Sequence, residues 1–382
     1  MKKRLTICLA IFSLLPPLSI AHDNEESLEF EQYLAQQDKE FSAYKKNIDE
    51  EFAQFVAAWK LAEDDYRAKI SQKWQQPLLP GKKQWVDYSA DLNQRTTVDF
   101  ASGAIKIEVR QSLTSQQVTI LAEQTITKLT TTSLADALAK DPVVQAVNKQ
   151  LTEDNKQLVI AKSSPVLLAK KHVGELATIL SKSEQNKTTI TIPLRPSLLS
   201  DNAQRYYPFA QQQAEKWQIP ASLILAIIHT ESSFNPLARS HVPAFGLMQI
   251  VPGSAGKDVT EFLNGKTTLL RPEYLYSAEQ NIEAGSVYLH LLMSRYFKGV
   301  TDSKNKLYMS IAGYNTGPGN VARALSNTTS LKRATQSANQ QTSEQLYFNL
   351  IDNLPHQETV NYLKKVLKRT SYYNNLLIKE SI

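Results

Sequence analysis

A carboxylate at the end of an apolar helix is the group in this chain best suited to acid–base chemistry. The segment 219–233 reads IPASLILAIIHTESS, and Pro220 suits the first helical position because the amide hydrogen it lacks would be unpaired there. Glu231 shares one face of this predicted helix with apolar residues at helical spacing: Ile224, Ile227 and Ile228. Burial and the negative end of the helix dipole both disfavour its ionised form and raise its pKa. A raised pKa suits a general acid at neutral pH; a solvated acid at a frayed helix end is the alternative.

Four further motifs follow Glu231-Ser232 in order along the chain. They read AFGLMQIVP at 244–252, EQNIEAGSVYL at 279–289, IAGYNTGPGN at 311–320 and LPHQETVNY at 354–362. Together with Glu231-Ser232 they resemble the lytic transglycosylase family, relatives of goose-type lysozyme that cleave the glycan strands of bacterial peptidoglycan. Any one of these motifs alone is weak, whereas their common order makes the signal specific. The resemblance implies an all-α, lysozyme-like catalytic domain.

The same motifs supply the groups that the resemblance places around a glycan. It implies that Glu231 is the catalytic acid and that these residues bind substrate: Ser232, Met248, Gln249, Tyr314, Asn315, Glu358 and Tyr362. Gln249 both donates and accepts hydrogen bonds, which suits sugar hydroxyls or an N-acetyl group. Taken alone, Met248 is more often a core residue than a sugar contact. Ser232 could equally cap the helix end, and a buried structural role is the alternative for Tyr314.

Glycines predict tight turns in two of these motifs. Gly246 allows the backbone to approach closely before Gln249. The stretch 316–319, Thr-Gly-Pro-Gly, predicts a turn that holds Tyr314 and Asn315 at a cleft edge. It is not a phosphate-binding loop, because no Gly-Lys-Ser/Thr sequence follows it.

The number of carboxylates decides the type of glycoside cleavage. Inverting hydrolases hold two carboxyl groups roughly 6.5–9.5 Å apart, and retaining ones hold them roughly 5–5.5 Å apart. Only Glu231 occupies a catalytic motif position, since Asp258 and Glu261 fall in a predicted loop and Glu358 on a structural-looking helix. The resemblance implies another route, in which the substrate's N-acetyl oxygen stabilises the cationic ring and ionised Glu231 deprotonates the 6-hydroxyl. The product is a 1,6-anhydro sugar formed without water.

The sequence is compatible with three functions. The first is a lytic transglycosylase acting between N-acetylmuramic acid and N-acetylglucosamine. The second is a lysozyme-type hydrolase of the same fold, and the third is a catalytically inactive wall-binding protein. The intact set of polar motif residues argues against the third.

Metal, cofactor and nucleic-acid chemistry are not predicted. The histidines are scattered without a metal-binding spacing: His22, His172, His229, His241, His290 and His356. A core position is the simpler interpretation of His229, which is offset from the face of Glu231. No Gly-x-Ser-x-Gly element supports a serine nucleophile. The net charge of +6 is modest and does not by itself indicate a nucleic acid, so the predicted partner is the peptidoglycan glycan strand.

The first 21 residues have the layout of a secretory signal peptide. Basic residues precede an apolar run, and small residues precede a cut after Ala21, which predicts a periplasmic protein. The only cysteine, Cys8, lies inside this signal, so the mature chain would have no disulfide. A lipoprotein anchor at Cys8 is the alternative, but Ile7 fills a position where a small residue is wanted. Contact of the N-terminal region with the membrane or with wall machinery is left open.

The remaining chain divides into three predicted parts, giving a mostly α, α+β fold. Residues 22–76 form a charged amphipathic helical segment, 77–195 an α+β accessory domain, and 196–382 the catalytic domain. A hairpin turning at 102–103 and a return strand at 188–194 are predicted in the accessory domain. The stretch 85–109 resembles the domain that precedes the catalytic domain in a membrane-bound branch of the family. A rigid module is favoured over a wall- or partner-binding surface.

Within the catalytic domain the helices are separated by predicted loops. These cover 233–245, 251–274, 297–306 and 314–320. The stretch 325–345 is polar and free of aromatic residues, and is predicted to be a surface excursion.

Overall fold

The structure is a computed structural model that describes residues 22–150, 167–173, 179–184 and 186–380. The predicted signal peptide, its cleavage site and Cys8 lie outside these residues. Contacts divide the chain into two compact units, Met1–Asp49 and Glu50–Ile382. The described part of the first unit is the beginning of helix α1, His22–Ser71, whose later turns belong to the second unit. Among the described residues, no helix combines the length and hydrophobicity needed to cross a bilayer.

The end of α1 packs against other residues of the second unit, to which it belongs. Trp59 is 1% exposed, and its ring meets that of Phe245 edge-on with centroids 5.1 Å apart. Ile70 is fully buried in a smaller cluster together with Trp74 and Tyr88. Apolar residues at helical spacing therefore bury one stripe along the last turns of α1, from about Phe52 onward, and leave most of the charged residues there in solvent.

An antiparallel sheet forms the centre of the accessory region. Its strands are β1 Gln84–Tyr88, β2 Gln94–Asp99, β3 Ala104–Val109, β4 Leu180–Glu184 and β5 Lys187–Pro193, in the order β1-β2-β3-β5-β4. The predicted hairpin is confirmed, because Val98 of β2 lies opposite Ile105 of β3. The predicted return strand is also confirmed, since β5 pairs with β3 and places Ile190 opposite Ile107.

Three helices follow β3 along the chain, and the first of them packs against β5. They are α2 Ser115–Thr131, α3 Leu134–Ala139 and α4 Pro142–Gln150. Alternation along the strands places Ile105 and Ile107 on one face of the sheet, where both are completely buried. Thr114 begins α2 with a capping box, in which its side chain and that of Gln117 satisfy each other's backbone amides.

The C-terminal half is helical, which confirms the mostly α, α+β fold class. Its helices are α5 Leu198–Trp217, α6 Ala221–Ser232, α7 Ala255–Asn264, α8 Pro272–Tyr276, α9 Ala278–Leu291, α10 Ser303–Thr316, α11 Pro318–Ser326, α12 Leu331–Asn339, α13 Ser343–Asn353 and α14 Gln357–Glu380. Helix α6 is the central element, with every residue from Leu223 to Ile228 buried. A helix that is apolar on all sides is stable only inside a protein, and here α5 and α14 pack against it.

Several sequence predictions for this half were wrong in detail. The predicted loop 251–274 contains α7 and the start of α8, and the predicted excursion 325–345 contains α12. Helix α12 buries only Ala334 and Ala338, one turn apart, so its apolar stripe is too narrow to stand out in the sequence. Tyr314 and Asn315 belong to the last turn of α10 rather than to a loop. Pro220 precedes the first helical residue, although its carbonyl accepts the first helical hydrogen bond.

Candidate active site

Glu231 lies in the last turn of α6 and is 6% exposed. Desolvation raises the pKa of its carboxyl to about 7, which outweighs the lowering by the Lys82 ammonium and by the Tyr362 hydroxyl. The Glu358 carboxylate adds a smaller upward contribution. The helix ends at once beyond Ser232, because Ser233 adopts the left-handed conformation with φ 50°. The protonated form of Glu231 is therefore well populated near neutrality, as a general acid requires.

Ser232 caps the helix end instead of contacting the carboxyl group. Its side chain is fully buried, its hydroxyl donates to the Ile228 carbonyl at 3.0 Å, and the Phe234 amide donates to that hydroxyl at 3.2 Å. The structure shows the capping role, and the substrate contact, which is compatible with it, stays a prediction.

The turn containing Gly246 and Gln249 is held by one buried amide side chain. Asn281 of α9 donates to the carbonyls of Phe245 and Leu275, both at 2.8 Å, and accepts from the Met248 amide at 2.7 Å. Gly246 adopts φ +75°, and a Cβ there would lie 2.1 Å from the Leu275 carbonyl oxygen. Only glycine therefore allows the turn to approach the chain before α9 so closely.

Met248 and Gln249 are both buried, but only Gln249 lines the cavity. The Met248 side chain is fully buried against Gly285, where an added Cβ would lie 2.4 Å from the Met248 sulfur. It is a core residue and does not line the cleft, so the predicted sugar contact by this side chain is wrong. Gln249 has φ +52° and donates to the Gly246 carbonyl at 3.0 Å, while its Oε1 has no partner among the described residues. That oxygen is a buried, unpaired acceptor in a residue that lines the cavity.

Tyr314 and Asn315 are fixed from two sides. The Tyr314 hydroxyl donates to the Met248 carbonyl at 3.0 Å, and its ring lies against Tyr288 with centroids 5.5 Å apart. The Asn315 side-chain oxygen accepts from the Thr359 hydroxyl of α14 at 2.7 Å. The last turn of α10 is thus tied both to the Gln249 turn and to α14.

An open cavity of about 600 Å³ joins these groups. Its polar lining includes Glu231, Gln249, Tyr314 and Asn315, which the sequence analysis placed in the site. Cavities of this size accept extended ligands, and the walls of this one carry both charged groups and neutral hydrogen-bonding groups. This combination suits a substrate rich in hydroxyl groups.

Two other predicted site residues lie around Glu231 rather than on the cavity wall. Tyr362 of α14 is 5% exposed, and its hydroxyl faces the Glu231 carboxyl without reaching ordinary hydrogen-bond geometry. The Glu358 side chain is 78% exposed and lies 3.9 Å from the Lys82 ammonium. Both therefore affect Glu231 electrostatically.

Lys82 and Asp258 are two of the charged cavity residues that the sequence analysis did not place in the site. Lys82 comes from the segment before β1, and Asp258 comes from α7, where its carboxylate accepts from the Tyr296 hydroxyl at 2.7 Å. Asp258 was dismissed because its helix was predicted to be a loop. Lys82 carries no local signal, because nothing in its sequence neighbourhood indicates contact with a helix so far along the chain.

His229 lies on a different side of α6 from the cleft. Its ring is within 3.0 Å of the Tyr373 hydroxyl, and burial, with the nearby Arg369 and Lys83 charges, lowers its pKa to about 3. It stays neutral at physiological pH and is half-buried against the rings of Phe234 and Tyr373. Within the described residues, no group of three or more potential ligands from His, Cys, Asp and Glu is placed to hold a metal ion.

Comparison with known proteins adds an independent finding. The family model of the transglycosylase SLT domain matches residues 208–337. Membrane-bound lytic murein transglycosylase C of Pectobacterium atrosepticum is 32% identical over 85% of this chain and 93% of its own. The protein of the same name from Haemophilus influenzae is 31% identical, over 84% of this chain and 91% of its own. The solved 70 kDa soluble lytic transglycosylase of Escherichia coli aligns with a TM-score of 0.34 at 28% identity, covering 48% of this chain and 25% of its own.

Proposed function

Because this chain belongs to the lytic transglycosylase family, we propose that it cleaves peptidoglycan at the β-1,4 bond between N-acetylmuramic acid and N-acetylglucosamine. The reaction consumes no water and leaves 1,6-anhydro-muramic acid at the new chain end. Residues around the cavity, Glu231 above all, carry out the steps of this reaction.

The first step is a proton transfer from Glu231. The protonated carboxyl donates to the oxygen of the glycosidic bond, the bond from that oxygen to C1 breaks, and the bonding electrons leave with the oxygen. Positive charge develops at C1, and the N-acetyl oxygen of the same muramic residue stabilises it. Glu231 is left as a carboxylate, beside the ammonium group of Lys82 at 3.9 Å.

The second step returns the proton to Glu231. The carboxylate removes the proton of the 6-hydroxyl on the muramic residue, and that oxygen forms the new bond to C1. The leaving sugar has already gained the first proton, so atoms and charges balance without water. The 6-hydroxyl competes with solvent because it is held within the same molecule.

The observation that carries this proposal is the environment of Glu231. Its carboxyl is almost fully buried, has a pKa raised to about 7, and opens onto the cavity that Gln249 and Tyr314 also line. A group with a pKa near the working pH can act first as acid and then as base. Gln249 lines the same cavity and its buried Oε1 has no partner, so a rotation of this side chain on binding would let it accept from a sugar hydroxyl or an N-acetyl amide.

The site of action follows from the substrate. We place the protein in the periplasm after removal of the signal peptide predicted at 1–21, where peptidoglycan is accessible. The names of the similar proteins describe them as membrane-bound, and contact of the N-terminal region with the envelope would bring this chain to the same substrate.

Product analysis tests the reaction directly. Purified sacculi are digested in water enriched in oxygen-18, and the released muropeptides are analysed by mass spectrometry. Anhydro ends without the heavy isotope are expected. Reducing ends that carry the heavy oxygen would reject the transglycosylase in favour of a hydrolase.

Hydrolysis is the second candidate because Asp258 lines the same cavity as Glu231. An inverting hydrolase needs such a second carboxylate to activate water. The substitution Asp258→Asn separates the two reactions, since it removes the base of a hydrolase but leaves the water-free route in place. A catalytically inactive wall-binding protein predicts instead that Glu231→Gln leaves the biological role unchanged.

A further inference from the structure

A lysine from the accessory region reaches the catalytic carboxyl group. Lys82 precedes β1, and its Nζ lies 3.9 Å from Glu231 Oε2 and 3.9 Å from Glu358 Oε1. Its side chain is 39% exposed, whereas that of Glu231 is 7% exposed. The ammonium therefore stands at the boundary between solvent and the buried acid, on the wall of the cavity.

The backbone of Lys82 is fixed to the turn that ends the catalytic helix. Asn235 is fully buried, and its side-chain amide donates to the carbonyls of Gly81 at 3.2 Å and Lys82 at 3.3 Å. Its side-chain oxygen accepts from the Leu237 amide at 3.1 Å. Since Asn235 follows Glu231 by one short turn, the same few residues hold both the acid and the lysine.

Charged and titratable groups face Glu231 from three elements. Lys82 and Lys83 approach from the segment before β1, Glu358 and Tyr362 from α14, and Tyr314 from α10. Lys82 lowers the pKa of Glu231 most among these groups, and Glu358 raises it. Lys83 contributes less, and burial lowers its own pKa.

We propose that Lys82 is a positioning residue for Glu231, whose ammonium stabilises the carboxylate that remains after the proton has moved to the departing oxygen. The proposal rests on the proposed function, in which Glu231 alternates between acid and carboxylate. It also gives the accessory region a specific part in catalysis, because the active site is electrostatically incomplete without Lys82.

Such a lysine keeps the pKa of Glu231 close to the pH at which the carboxyl group must donate its proton. A buried carboxyl without a nearby cation holds its proton too tightly to release it to a glycosidic oxygen, whereas one in full solvent would already be ionised. Burial raises the pKa of Glu231, and the Lys82 ammonium limits the size of this rise. The partial exposure of the lysine keeps its own charged form hydrated.

Three variants of the full-length protein test this role. Lys82→Met keeps the length of the side chain and removes its charge, and Lys82→Arg keeps the charge. Lys128→Met is the matched control, since Lys128 also lies in the accessory region, is paired with Asp87 at 2.6 Å, and does not line the cavity. Each variant is compared with the wild type for thermal stability before any titration.

The first measurement does not depend on turnover. The Glu231 carboxyl is followed by carbon-13 NMR with labelled glutamate and assigned by the signal missing from Glu231→Gln. In Lys82→Met we expect its titration midpoint to rise by about 0.5 to 1 pH unit, since the lysine is partly exposed and solvent screens its charge. Lys82→Arg and Lys128→Met should leave the midpoint in place. An unchanged midpoint in Lys82→Met would overturn the proposal whatever the activity.

The second measurement is the pH dependence of kcat/KM on sacculi. The alkaline limb, where Glu231 loses its proton, should move upward in Lys82→Met by the same amount as the NMR midpoint. The plateau should fall by about threefold to tenfold because the acid is weaker. A higher KM with an unmoved limb would identify Lys82 as a substrate contact and reject the positioning role. Failure of the wild type to form anhydro ends would instead reject the proposed function, and the NMR midpoint would still decide the role of Lys82.

Discussion

The Tyr314 hydroxyl donates a 3.0 Å hydrogen bond to the main-chain carbonyl of Met248. This single bond ties the last turn of α10 to the turn that presents Gln249 to the cavity. Met248 contributes its backbone and a buried side chain, while its neighbour Gln249 lines the cavity. Motifs that are separate in the sequence are thus joined by hydrogen bonds in the fold: Tyr314 to Met248, Met248 to Asn281, and Asn315 to Thr359.

Removing this bond should affect both stability and catalysis. Tyr314→Phe leaves the buried Met248 carbonyl without its donor, so we expect a loss of about 1–3 kcal/mol in the free energy of unfolding. A looser Gln249 turn should also lower kcat/KM by about tenfold. Denaturant titration and sacculus digestion measure the two effects.

The matched control is Tyr308→Phe on the same helix. The Tyr308 ring packs against Tyr347, and no hydrogen bond of its hydroxyl is seen among the described residues. We expect this variant to resemble the wild type in both assays. Equal losses in the two variants would show that the bond to Met248 has no special weight.

If Glu231 is the catalytic acid, replacing it should abolish turnover without changing the fold. Glu231→Gln matches the side chain in size but cannot donate a proton, so turnover should fall below a few per cent of the wild type. Circular dichroism and thermal melting should be nearly unchanged at acidic pH. Glu279→Gln, an exposed substitution on α9 outside the cavity, serves as the control. Appreciable turnover in Glu231→Gln would count against the assignment, and unfolding would mean that the side chain is structural.

The raised pKa of Glu231 also predicts how stability depends on pH. The folded-state pKa of about 7 exceeds the usual value of 4.5, so the folded protein binds this proton more tightly than the unfolded chain does. The resulting stability is complete below pH 4.5 and is lost as the pH rises through about 7. The upper limit of this loss is roughly 3 kcal/mol.

This linkage is measured by comparing two proteins at two pH values. Free energies of unfolding are determined by denaturant titration for the wild type and for Glu231→Gln, in weak acid and in weak base. The difference between them should shift in favour of the variant as the pH rises, because glutamine does not ionise. A difference that is independent of pH would mean that the folded protein does not raise the Glu231 pKa.

Two glycines that both have a positive φ angle should lose very different amounts of stability when replaced by alanine. Gly246→Ala places a Cβ 2.1 Å from the Leu275 carbonyl oxygen at φ +75°, so we expect a loss above about 4 kcal/mol or failure to fold. Gly265→Ala meets nothing within 4 Å at φ +65° and should lose only about 1–2 kcal/mol, from the left-handed conformation alone. Melting temperatures of the two variants test this contrast, and similar values would contradict it.

The sequence alone determined the elements whose pattern is local and strong. The apolar run of α6 ending at Glu231, the alternation of β2 and β3 about Gly103, and the overall mixture of helix and sheet all follow from periodicity within one segment. The motif order was enough to indicate the family. Helices α7 and α12 were missed because their buried stripes are narrow and their sequences polar.

The tertiary structure alone decided which groups share the cavity and which only support it. It buried Met248, made Ser232 a cap, and brought Lys82 to within 3.9 Å of Glu231. These outcomes depend on packing and hydrogen bonds between segments distant along the chain, such as the bonds from Asn235 to Gly81 and Lys82. Local propensity acts over a few residues, whereas the desolvation and charge that set an acid's pKa come from whatever the fold packs around it.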